Sequence, residues 1–231
     1  MEKDRLPSNP SQTAADPLAQ RKSGRIKMLA ILAICLAPVI ASYFTYYVIK
    51  PTARTNYGEL IDPAQHFMPQ LGATTLDGQP IALDAYKGKW LLLQAADGKC
   101  DDACRDKLLA MRQERLMQGK EMDRIERVWL ITDSEPLDIS LMREYDGTRM
   151  LRVKRDALEK WLPVTHDGVI SDCIYVVDPL GNLMMRFPKS AGRPKAGADQ
   201  EEMNAYRKKI DAEHAKMKKD LTKLLTASSI G

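Results

Sequence analysis

The sequence predicts one α/β domain carried behind a single membrane-spanning helix, and three observations predict it. Residues 28–49 form a 22-residue run without a charged side chain, the length at which a helix crosses the hydrocarbon core of a bilayer. Beyond that run, short continuous apolar stretches alternate with segments of helical period, as in a sheet covered by helices. From Leu60 onward 172 of the 231 residues remain, enough for one domain and too few for two. An apolar fraction of 44% excludes a wholly disordered chain, and four Cys are too few for a disulfide-built scaffold.

The charge is unevenly placed. Residues 1–27 hold six basic and three acidic side chains, residues 28–49 none, and residues 50–231 hold 29 against 28. The net +4 therefore sits in the N-terminal tail, and no basic domain face points to nucleic acid. Arg21, Lys22, Arg25 and Lys27 abut the apolar run, so the positive-inside rule puts the tail in the cytoplasm and the rest outside. Tyr43, Phe44, Tyr46 and Tyr47 make an interfacial belt, and Pro38 is tolerable mid-span. The run is longer than the apolar core of a signal peptide and ends in aromatics, which favours an uncleaved anchor. Cys35 within it reads as a small apolar residue. The organisation predicted is a disordered, basic cytoplasmic tail (1–27), a transmembrane helix (28–49), a linker (50–59) and an extracytoplasmic domain (60–231).

Within that domain, Asp77-Gly78 marks a small hairpin around residues 73–83. Trp90-Leu91-Leu92-Leu93-Gln94-Ala95 suits a buried strand, followed by a helix over about 102–118 that Gly119 ends. Residues 127–132 read as a second strand, 157–162 as a short helix stopped by Pro163, and 173–177 as a third strand. Residues 178–182 turn the chain into 183–187. After a Gly/Pro/Lys loop, Met203, Tyr206, Ile210, His214, Met217, Leu221 and Leu224 lie on one stripe. They predict an amphipathic helix over about 200–226.

The chemistry concentrates in Cys100-Asp101-Asp102-Ala103-Cys104, where the first buried strand hands over to a helix. The free N–H groups there favour thiolate, and two Cys four apart on a helical start share a side. Thiolates are soft donors that favour Cu(I). Asp101 and Asp102 raise thiol pKa values but attract a cation. Core filling accounts for the Met residues, and His66 and His214 read as residues without a site role.

These residues carry a resemblance to the Sco/SenC family, membrane-anchored thioredoxin-like proteins that assist copper insertion into cytochrome c oxidase. The matching elements are the anchor, Gly88-Lys89-Trp90-Leu91-Leu92-Leu93, the Cys100-x-Asp102-x-Cys104 core, and Tyr175-Val176-Val177-Asp178-Pro179-Leu180-Gly181. More closely, the chain resembles a divergent bacterial branch with the segment Asp178 to Pro188. The resemblance implies a thioredoxin-like fold and Cys100 and Cys104 as copper ligands. It also implies a periplasmic domain on the bacterial inner membrane, and the copper-bearing subunit of the oxidase as partner. The sequence departs from the family where a Pro follows each Cys, having Asp101 and Arg105, and where the third ligand is His, having Ile170. His166 and Cys173 are the nearby substitutes. The first function predicted is therefore copper-site maturation without turnover. The alternative is a thiol–disulfide reductase using Cys100 and Cys104 on the oxidase's copper-ligand cysteines, although C-x-x-C and a cis-Pro before the late strand are missing. A non-catalytic assembly scaffold is the third.

Overall fold

A computed structural model describes residues 17–49, 56–165, 167–194 and 197–228, and the chain divides into two compact units, Met1–Arg54 and Thr55–Gly231. In the first, helix α1 (Pro17–Phe44) is continued by a π turn, Thr45–Ile49. Residues Arg25–Tyr47 are long and apolar enough to cross a membrane, with a mean hydropathy of 2.2 and none of the window buried. Helix α1 includes residues 17–27, and residues 1–16 of the predicted disordered tail lie outside the described residues.

The second unit is built on seven strands: β1 (Glu59–Leu60), β2 (Thr74–Thr75), β3 (Trp90–Ala96), β4 (Ile125–Ile131), β5 (Thr148–Arg152), β6 (Ile174–Val177) and β7 (Leu183–Phe187). They form one sheet in the order β1-β7-β6-β3-β4-β5-β2. Strand β3 runs parallel to β4 and antiparallel to β6. Helices α2 (Asp102–Met117), α3 (Ile139–Glu144), α4 (Arg155–Trp161) and α5 (Gln200–Ala227) complete it. A parallel pair needs a crossover, and α2 supplies it between β3 and β4.

Every residue of β3 is buried, which is why its sequence is a continuous apolar run rather than an alternation. Successive side chains still divide between the faces. Leu91, Leu93 and Ala95 share a cluster with Leu158 and Trp161 of α4. Trp90 and Leu92 share another with Ala110 and Met111 of α2 and Met217 and Leu221 of α5. Helices on both faces of a mixed sheet give the thioredoxin-like α/β fold that the resemblance implies.

Three elements differ from expectation. The hairpin around Gly78 (φ +79°) shrinks to β2 and a bridge from Thr74 to Pro80, because β2 pairs instead with β5. Strand β5 and helix α3 were not expected: β5 carries Arg149 and Arg152 near the sheet edge, and α3 is only six residues, capped by Asp138 Oδ1 on Ser140 N at 2.8 Å. Helix α5 matches its stripe, with Asp199 Oδ1 accepting from Glu202 N at 2.8 Å as N-cap. Its buried Asp220 accepts from Tyr57 N (2.6 Å) and Gly58 N (3.0 Å), clasping the entry segment.

Candidate functional site

Strand β3 ends at Ala96, and the chain turns through Asp97-Gly98-Lys99. Cys100 N donates to Asp97 O at 3.1 Å, and Gly98 N to Asp133 Oδ2 at 3.0 Å. Asp101 then caps α2, its Oδ1 accepting from Cys104 N at 2.9 Å. Cys100 takes φ +43°, the only described non-glycine residue in the left-handed region, at a cost of about 1–2 kcal/mol. Cys100 and Cys104 are joined by a disulfide, their Cα atoms 5.1 Å apart. Both residues are 3% exposed, so access to sulfur runs through the cleft they line, which has a volume of about 730 Å³. Asp97, Lys107, Arg155, Asp172 and Lys189 also line it, giving walls of mixed charge.

Beneath the pair lies Gln94, which is fully buried. Its Nε2 donates to Cys104 Sγ at 3.0 Å and to Cys104 O at 3.2 Å, while Oε1 has no partner. The amide must face this way, since a flip would set an oxygen against two acceptors. A buried orphan oxygen costs about 1–3 kcal/mol, so Gln94 is a poor choice for packing alone. The sequence carries the signal, one polar residue inside an apolar strand, but the apolar pattern alone absorbs it into the run. Lys107, also buried, donates from Nζ to Ala103 O at 2.7 Å. Burial pulls its pKa below the ordinary value, against the opposing pull of Asp101 and Asp172. Asp172 in turn pairs with Lys189 at 2.8 Å.

The predicted donors do not all assemble. Cys100 and Cys104 come together. Ile170, in the position where the family resemblance calls for His, lines the same cleft as a buried apolar side chain. Cys173 is 1% exposed and belongs to the cluster on the α4 face, with Trp161 and Tyr175. Cys104 belongs to a different one with Leu108, Trp129 and Tyr145. Burial pushes the Cys173 thiol above its ordinary pKa, against the opposing pull of Arg186. His166 lies outside the described residues. Among the described residues, no group of three His, Cys, Asp or Glu side chains could hold a metal ion.

The other two His have structural partners. His66 Nδ1 lies 3.1 Å from Trp161 O, and Trp161 Nε1 donates back to His66 O at 3.3 Å. His214, expected on the apolar stripe as packing, instead meets the fully buried Glu114 of α2, Nδ1 to Oε1 2.9 Å. It joins α5 to α2 by a polar contact that periodicity does not reveal.

Residues 90–204 match the family described as the transmembrane-like, thioredoxin-like, C-terminal domain, which sets the class of the domain. No curated protein matches the chain. Among solved structures, it is similar to a SCO1/SenC family lipoprotein from Bacillus anthracis str. Ames, at 13% identity over 66% of this chain and 99% of that one, with a TM-score of 0.43. It is also similar to the copper-bound ScoI of Bradyrhizobium japonicum, at 17% identity over 62% and 99%, TM-score 0.38. A third is the thioredoxin domain of a thiol-disulfide oxidoreductase from Bacteroides vulgatus, at 19% identity over 54% and 89%, TM-score 0.39.

Proposed function

We propose that this chain is a membrane-anchored thiol–disulfide exchange protein, with Cys100 and Cys104 as the reacting pair and the domain on the periplasmic side of a bacterial inner membrane. One observation carries the reading: the disulfide forms a wall of the cleft, with the Gln94 amide held on Cys104 Sγ. The competing role is a structural staple. Closing a loop this short stabilises by about 2 kcal/mol, and the left-handed Cys100 costs about 1–2 kcal/mol. As a staple the bridge contributes close to nothing, whereas backbone strain at a cleft is characteristic of working sites.

In the exchange, a partner thiolate enters the cleft and attacks Cys100 Sγ. A mixed disulfide forms, the Cys100–Cys104 bond breaks, and Cys104 leaves as thiolate. Gln94 Nε2–H and the first turn of α2 receive that charge, which makes Cys104 the better leaving group. The reductive direction starts from the dithiol: Cys100 thiolate attacks a partner disulfide and one partner sulfur leaves as thiolate. Cys104 thiolate then attacks Cys100 Sγ, re-forming the Cys100–Cys104 bond and releasing the second partner thiolate. An external dithiol then restores the pair. On the Sco/SenC resemblance, the partner thiols are the copper-ligand cysteines of cytochrome c oxidase.

The second reading is copper holding, favoured by two soft sulfurs brought to one place. The reduced pair fits a Cu(I) ion held by two thiolates. Among the described residues it gains no third donor, since Ile170 supplies none and Cys173 sits on the α4 face of the sheet; His166 is the remaining candidate from the sequence.

Equilibration of the full chain in detergent with glutathione buffers gives the potential of the pair, and reduction of a two-cysteine oxidase peptide gives its activity. A potential below about −300 mV together with no exchange sinks the exchange reading and leaves a structural bridge. Anaerobic titration of the reduced chain with Cu(I) that finds no stoichiometric site sinks the copper reading.

A further inference from the structure

A second cleft shares no lining residue with the first. It has a volume of about 340 Å³ and is lined by Arg112 and Arg115 of α2, Arg127 of β4 and Arg143 of α3, with Glu144 and Asp146 at its side. Arg127 is 6% exposed. Its Nη2 donates to Asp146 O at 3.0 Å, while Nε and Nη1 are buried without a partner. The nearby carboxylates are engaged elsewhere: Asp146 Oδ1 accepts from Gly147 N at 2.8 Å, and Glu144 lies 3.8 Å from Arg105 Nη1. Arg115 is held by Ile125 O at 2.9 Å and Asp123 Oδ1 at 3.3 Å, and Arg112 Nη1 donates to Glu144 O at 3.4 Å.

The hydrogen bonds of Arg127 Nη2 and Arg115 do not offset the burial of the rest of the Arg127 fork. Each buried N–H without a partner costs about 1–3 kcal/mol, and a Met of similar volume would pack there without charge. Burial and the like charges of Arg115 and Arg112 work against the Arg127 guanidinium and outweigh the opposing pull of Glu126 and Asp146. A bound anion reverses every one of these costs. Guanidinium forks pair with carboxylate or phosphate. A carboxylate offers two oxygens in one plane, whereas here the forks arrive from three separate elements, which suits a tetrahedral group.

We infer that this cleft is a binding site for a phosphate group, with the unfilled Nε and Nη1 of Arg127 at its base and Arg112 and Arg143 closing over it. The group can come from a soluble phosphate ester or from the headgroup of a phospholipid.

The test is calorimetric titration of the full chain in dodecyl maltoside with inorganic phosphate and, separately, with glycerol 3-phosphate. Saturable one-site binding that weakens with added salt is expected. Arg112→Gln with Arg143→Gln, both at exposed positions, lowers affinity by about tenfold or more, a loss of about 1.4 kcal/mol, and leaves the Cys100–Cys104 bridge and thermal unfolding unchanged. Arg127→Met abolishes binding. Because that residue is buried, the exposed double variant keeps the test decisive if Arg127→Met fails to fold. Equal affinity for the two ligands assigns the site to a bare phosphate group, a preference for glycerol 3-phosphate assigns it to a soluble ester, and tighter binding of phosphatidylglycerol in the same micelles assigns it to a lipid headgroup. Heat no larger than that of a chloride control, or binding unchanged in the double variant, overturns the proposal.

Discussion

Strands β3 and β6 are antiparallel neighbours, with Leu93 opposite Tyr175, so the end of one and the start of the other bring three sulfurs to the same end of the sheet. Their surroundings differ. Cys104 follows β3 into α2 and lies against Gln94, with a helix N-terminus and an open cleft beside it. Cys173 lies two residues before Tyr175 and shares its cluster on the α4 face, where burial disfavours its charged form. Proximity along the sheet edge therefore does not make a site. The pleat sends side chains to opposite faces, and of the three sulfurs only those of Cys100 and Cys104 line the cleft.

The comparison breaks most visibly at the pair. Cys100→Ala or Cys104→Ala is expected to abolish reduction of a two-cysteine peptide, while Cys173→Ala retains it. Loss of activity in the Cys173 variant would erase the distinction. Next in size, Gln94→Leu removes the donor on Cys104. A hydrogen bond to a charged group is worth about 1.5–3 kcal/mol, so the pair's potential falls by about 30–60 mV, read by glutathione equilibration. An unchanged potential would reduce Gln94 to packing. A smaller effect follows from the raised pKa of Cys173. Its contribution to stability is full below the ordinary thiol value of 9.0 and is lost as pH rises from there through the folded value. Thermal unfolding of the wild type should therefore weaken above pH 9 relative to Cys173→Ala. Smallest of all, iodoacetamide should leave Cys173 unlabelled in the folded chain and label it on unfolding.

The parts of this arrangement that the sequence reveals are those set by local pattern. The apolar run of β3, the helical period of α2 and the stripe of α5 each follow from burial on known faces. Asp178 to Asn182 announce the β6–β7 turn, where Asp178 Oδ1 accepts from Asn182 N at 2.8 Å. Strand β5 escapes because its Arg149 and Arg152 look like a solvated loop, and only pairing with β4 and β2 makes it a strand. The same limit applies to the site. Cys100 and Cys104 are visible through spacing and position, but their bond is a tertiary fact. Gln94 meets Cys104 only once α2 has folded back on β3. The face of Cys173 depends on which residue of β6 enters the sheet first. Likewise Glu114 and His214, 100 residues apart, carry no sequence sign of their contact.

The clasp of Asp220 on Tyr57 and Gly58 joins positions 163 and 162 residues apart, and this dictates an order during synthesis. At ribosomal speeds of about 5–20 residues per second, roughly 10–30 s separate the two ends of that contact. Cys100 and Cys104 emerge well inside the interval, close enough to pair while α5 is still unmade. Whatever oxidant or reductant meets the nascent segment acts on the bare cysteines, before the cleft exists to filter access.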